Sequence, residues 1–237
     1  MESTRKSGIV AGAFFVVAAV AAIAGLALYD GVLHDPGSIA TGTRDDTAVL
    51  LGACCELVLA ISVVGTATTL YPVVRRHGEG VALSYVAGRV LEAAFIAVGI
   101  MCLLAIVTLR RDAAGHDPSL IVTGKALVAL HDRTFLFGPG FAIGVNTTLL
   151  ASLMYRSRLV PRAIAIVGLI GGPLVFASSF AVLFGLYGQT SAAAGVAALP
   201  VFAWEMSLAA WMIARGLAPS PARGPVADAP ATTAAAY

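Results

Sequence analysis

Long apolar runs separated by short polar turns set the pattern of this chain. The first run covers 9–28, about 20 residues, the length whose helical rise crosses roughly 30 Å of hydrocarbon. It exceeds the apolar region of a secretory leader, about 7–15 residues, and no small-x-small site closes it, so it reads as an uncleaved first span. Further spans are predicted over 48–71, 81–109, 134–155, 163–187 and 194–214. Between the third and fourth, 119–130 is apolar but interrupted by Gly124 and Lys125. It is too short to cross and predicts a short interfacial helix. Gly138-Pro139-Gly140 and Gly171-Gly172-Pro173 fall inside spans, where proline removes a backbone donor, and each predicts a local kink. The expected fold is all-α, a polytopic membrane bundle of six transmembrane helices plus the short interfacial helix. Residues 1–7 form an N-terminal segment, 8–215 the membrane domain, and 216–237 an Ala/Pro/Thr-rich tail expected to be disordered.

The polar segments orient the bundle. Six spans place both termini on one side. Arg5, Lys6, Arg75, Arg76, Arg156, Arg158, Arg162, Arg215 and Arg223 fall on that side, against Arg44, Arg110, Arg111, Lys125 and Arg133 opposite, which predicts cytoplasmic termini. Composition narrows the function classes. A chain 59% hydrophobic and 12% charged is not a soluble globular domain. A net charge of +2, with basic residues scattered through short turns, excludes a nucleic-acid surface, so the bilayer is the expected partner. Cys54, Cys55 and Cys102 all lie in apolar segments and form neither a disulfide framework nor a C-x-x-C motif.

Four charged residues interrupt the spans: Glu56, Arg89, Glu92 and Glu205. Each costs roughly 2.5–3.5 kcal/mol to insert, so each marks pairing or function. At 1.5 Å of rise per residue from the cytoplasmic ends, Arg89 lies ~12 Å deep, Glu205 ~15 Å, Glu92 ~16 Å and Glu56 ~22 Å. Arg89 and Glu92 share a helix face, and Glu205 is level with them, so these three are expected to bridge spans three and six. Glu56 is expected to stand apart. Three carboxyls against one guanidinium cannot all ionise in a dry core with charge balanced, which makes the isolated Glu56 the candidate proton site.

A second constellation lies in the outer loops. His34-Asp35, His116-Asp117 and His131-Asp132 pair imidazole with carboxylate, the ligand types of a zinc site with an open position for water. Their spacing matches no metal motif, and aspartate before Pro36 and Pro118 has an ordinary turn or capping use. His131-Asp132 is the pair best placed, where the interfacial segment meets span four. Nucleophile-elbow, P-loop and dinucleotide signatures are absent, and no cofactor is expected. Tyr29, Tyr71, Tyr155 and Tyr187 fall at predicted span ends and read as an aromatic belt. Trp204 and Trp211, seven apart, face lipid or a neighbouring helix, and Asn146 within span four reads as an interhelical hydrogen-bonding group.

Several phrases carry a resemblance: Leu70-Tyr71-Pro72-Val73-Val74-Arg75-Arg76, Gly78-Glu79-Gly80-Val81-Ala82-Leu83, Arg89-Val90-Leu91-Glu92, Leu136-Phe137-Gly138-Pro139-Gly140-Phe141, Leu153-Met154-Tyr155-Arg156-Ser157 and Gly168-Leu169-Ile170-Gly171-Gly172-Pro173. As a set they resemble bacterial membrane proteins filed as domain of unknown function 4386, over residues 8–216. The resemblance implies a multi-helix inner-membrane protein of no established activity and transfers no catalytic residue. The chain thus reads as a non-enzymatic multi-pass protein whose polar core maintains packing and hosts a small amphipathic ligand or a proton. A proton-coupled transporter and a metal-dependent membrane hydrolase are the alternatives.

Overall fold

The structure, a computed structural model, describes residues 2–34, 46–112 and 118–218. The expectations for the 35–45 and 113–117 loops and for most of the C-terminal tail lie outside these residues. The elements in chain order are α1 (Glu2–His34), α2 (Asp46–Val74), a 3-10 turn (Arg75–His77), α3 (Glu79–Asp112), α4 (Pro118–Phe135), a π-helical segment (Leu136–Ala142), α5 (Ile143–Ser157), α6 (Arg162–Leu183) and α7 (Ala192–Ala214). Six helical stretches are long and apolar enough to cross a membrane, and the protein is a multi-pass membrane bundle.

The helix ends follow local chemistry. α5 stops where Arg158 takes a left-handed φ of 56° and its N–H returns to the Met154 carbonyl at 3.1 Å. Pro161 then precedes the first residue of α6. The Ser191 side chain caps α7 by accepting from Ala194 N–H at 3.3 Å. After α7, Gly216 turns the chain at a φ of 73° beside Arg5, and Ala218 N–H donates to the Leu159 carbonyl at 2.9 Å. The two ends of the membrane domain therefore meet on one face.

The helices are unequal. α1 and α3 run 33 and 34 residues, α6 and α7 only 22 and 23. At 1.5 Å per residue the long pair reaches about 50 Å and the short pair about 34 Å. The surplus lies at the face away from the termini, where Asp46 pairs with both Arg110 and Arg111 and joins α2 to α3. The short helix expected over 119–130 is present as the first part of α4. It continues through the π-helical segment into α5, a single stretch of 39 residues from Ser119 to Ser157. Pro139 sits inside the π segment, where the missing donor is absorbed by a widened turn. Gly138 and Gly140 on its two sides let the segment lie against Phe95 of α3 and Ser179 of α6.

Large apolar side chains such as Val20, Ile61 and Leu83 are exposed, as expected where hydrocarbon is the solvent. Inside, the apolar core is split into two larger clusters and a small third one in which Ala53 and Ala60 of α2 meet Ile96 and Ile100 of α3. One cluster gathers near the termini around Phe15, Leu70, Tyr85, Met154 and Trp204. Another gathers at the far end around Tyr29, Val32, Leu103, Ile106 and Val128. The candidate site lies between them.

Candidate functional site

The rim nearer the termini is built on Arg89. With Arg89 and Glu92 three residues apart on α3, both side chains fall on one helix face. Arg89 Nη1 lies 3.3 Å from Glu92 Oε2, and Arg89 Nη2 lies 3.0 Å from Glu205 Oε1 on α7. Asn146 of α5 donates from Nδ2 to Glu92 Oε2 at 2.8 Å, so three helices meet on one ionic cluster. Arg89 and Glu92 are each only 3% exposed. The guanidinium carbon sits 5.6 Å from the ring centroids of both Phe15 and Tyr85, whose π faces offset part of its lost hydration. Gly88 makes this geometry possible: a Cβ there would overlap Asn146 Oδ1.

The opposite rim is built on Glu56. Its carboxyl faces the Tyr29 hydroxyl of α1 and the His131 ring of α4. Tyr29 and His131 stand edge to face with centroids 5.8 Å apart. The Tyr29 ring lies directly over Gly52, where any side chain would collide with it, and Gly99 lies under His131 and Thr134 in the same way. Tyr29 Oη and Glu56 Oε2 are buried beside one another but outside good hydrogen-bond geometry, and buried His131 Nδ1 has only Asp132 Oδ1, 3.6 Å away. Unmet buried polar atoms are uncommon in folded proteins and call for an explanation.

Both rims open on one cavity of about 270 Å³. Ala18, Ala22, Leu59, Val63 and Ile96 supply apolar wall between them, and Pro139 of the π segment adds to it. The lining also includes Ile23, Leu26 and Phe202, which are 63%, 45% and 47% exposed on the outside of the bundle. The cavity therefore reaches the lipid-facing surface on the side of α1 and α7, within the spans.

The sequence-predicted residues sort as follows. Arg89, Glu92 and Glu205 are brought together. Glu56 is apart from them, as expected, but shares their cavity. Tyr29, expected at an aromatic belt, is instead fully buried, because α1 continues to His34 and leaves Tyr29 inside the helix rather than at its end. Tyr71 and Tyr155 do sit at span ends, each beneath an arginine, Arg75 at 5.7 Å and Arg162 at 5.1 Å. Trp204 is buried against α6, over Gly168. Of the outer His-Asp pairs, Asp35, His116 and Asp117 lie outside the described residues, as does the side chain of His34. His131 is buried with Nδ1 3.6 Å from Asp132 Oδ1, while the Asp132 side chain is 57% exposed. Among the described residues no three His, Cys, Asp or Glu side chains gather around a common point. Sequence reasoning missed Tyr29 as a wall of the site, and the one local signal for it was Gly52, a glycine inside an apolar span.

No curated protein and no solved structure matches the chain. A family model does match, over residues 10–216, nearly all of the membrane domain with both rims of the cavity inside it. The chain belongs to the family described as Domain of unknown function (DUF4386).

Proposed function

We propose that this protein binds a small amphipathic ligand in the cavity between its two cores, in the inner membrane of a bacterial cell with both termini cytoplasmic. The observation that carries the reading is one apolar chamber with an ionic cluster at one rim and the Glu56 carboxyl beside Tyr29 and His131 at the other. Ligand sites are commonly concave and mostly apolar, with a few converging polar groups. The exposed lining at Ile23, Leu26 and Phe202 supports entry from the bilayer, which favours a ligand that partitions there. The excess of lysine and arginine at the terminal face supports the orientation.

A small apolar diazirine dissolved in the bilayer tests this. Photolysis is expected to label buried lining positions such as Val63 and Ile96 as well as lipid-facing Ile61 and Leu83. Ala22→Phe, which fills the chamber, is expected to remove the first set and leave the second. Labelling confined to the lipid face in the wild type overturns the reading.

A second reading, proton-coupled transport of the same ligand, draws on carboxyls at both rims of one cavity beside a π-helical segment. Proteoliposomes that show no ligand-dependent proton flux, with Glu56→Gln indistinguishable from wild type, would remove it.

A further inference from the structure

The charge inside the cavity points to the class of ligand. Glu56, Glu92 and Glu205 all line it, and among the described residues of the lining Arg89 is the only lysine or arginine. Arg89 is engaged by Glu92 and Glu205 together, at 3.3 and 3.0 Å, so its single positive charge is already shared between two carboxyls. Glu56 has no such partner. Its Oε2 is buried, and the groups it interacts with, the Tyr29 hydroxyl and the His131 ring, carry no permanent charge. Tyr29 is fully buried, and its hydroxyl, which lines the chamber beside the Glu56 carboxyl, has lone pairs that can accept from an N–H donor there.

An anion entering this space would meet three carboxyls, and a neutral molecule would offer them no charge to pair with. An organic cation with an apolar body meets both needs, since its charge pairs with Glu56 and its body replaces hydrocarbon against Ala22, Leu59, Val63 and Ile96. We propose that the ligand is a lipophilic amine in its ammonium form, with the charged nitrogen held at Glu56 and Tyr29 and the apolar part extending toward the Arg89 rim. Glu56 acts here as a counter-ion in a region of low dielectric, where its attraction for a cation is screened less than in water. The proposal rests on the reading of the cavity as a ligand chamber.

Competition against the diazirine separates the two. Full-length protein in lipid nanodiscs at pH 7 is photolabelled in the presence of octylamine, octanol or octanoate, which share one chain and differ in charge. Octylamine is expected to protect Val63 and Ile96 at a concentration at least tenfold below the other two. In Glu56→Gln that tenfold advantage is expected to vanish, and in Glu56→Asp, which keeps the charge, to persist. If Val63 and Ile96 are never labelled, the chamber reading itself fails. If they are labelled but octanol or octanoate protects as well as octylamine, or none of the three protects, the cation proposal is overturned while the chamber stands. The wild-type comparison alone decides this if Glu56→Gln does not fold.

Discussion

Gly88 is where the packing and the ionic cluster depend on each other most directly, and Gly88→Ala puts that dependence to a quantitative test. The added methyl would occupy the place of Asn146 Oδ1, and Asn146 is fully buried. Two costs follow. Overpacking a tight helix interface costs about 1–3 kcal/mol. Displacing Asn146 also breaks its 2.8 Å hydrogen bond to Glu92, worth about 0.6–1.7 kcal/mol between membrane helices. Helix propensity returns at most ~1 kcal/mol. The net expectation is a destabilisation of about 1–4 kcal/mol. Gly80→Ala, on the same helix, adds a methyl with nothing within 4 Å and should be neutral or stabilising by up to ~1 kcal/mol. Reversible unfolding in mixed micelles of increasing dodecyl sulfate content reads both. Combining Gly88→Ala with Asn146→Ala opens room for the methyl, so the double variant is expected to lose less than the sum of the singles, with a coupling of about 0.5–3 kcal/mol. A Gly88→Ala protein as stable as Gly80→Ala, or strict additivity in the double, would refute the reasoning.

Two further variants examine the rims. Arg89→Met leaves buried Glu92 and partly buried Glu205 without their cation and is expected to cost about 3–5 kcal/mol, with Glu205→Gln in the same chain restoring part of it. Unfolding free energies that add to within ~0.5 kcal/mol would show that the two residues do not interact. Gly52→Ala drives the Tyr29 ring off its seat and should destabilise by about 1–3 kcal/mol, with Tyr29→Ala relieving the clash. Unchanged melting of Gly52→Ala in nanodiscs would mean that the ring has another place to go.

The spans were legible because insertion into hydrocarbon demands about twenty apolar residues, a signal that survives without any knowledge of packing. The partnership of Arg89, Glu92 and Glu205 was legible for a related reason. A charge in a span has few places to be, and counting rise per residue puts these three at one level. The widened turn at Pro139 likewise follows from the chemistry of one residue. The cavity was not legible. Lipid-facing and core-facing positions are both apolar in such a chain, so hydropathy cannot say which side of a helix is covered. Ile23 and Val63 look alike in sequence, yet one is 63% exposed and the other 2%. Tyr29 was misplaced because apolarity ends near Leu28 while the helix continues to His34, roughly 9 Å farther by helical rise. The joining of 119–130 to the following span was hidden by Lys125, His131, Asp132 and Arg133, which read as a break. His131 turns inward to the cavity while Asp132 and Arg133 point outward, so one helix carries both kinds of position.

The central claim is that the chamber between the two cores holds a ligand, and native mass spectrometry of protein released gently from its own membrane tests it most directly. The wild type is expected to carry one small-molecule adduct of constant mass that Ala22→Phe lacks, both proteins retaining the same spread of loosely bound phospholipid. A wild-type spectrum that shows only bare protein and the phospholipid also seen on Ala22→Phe would contradict it.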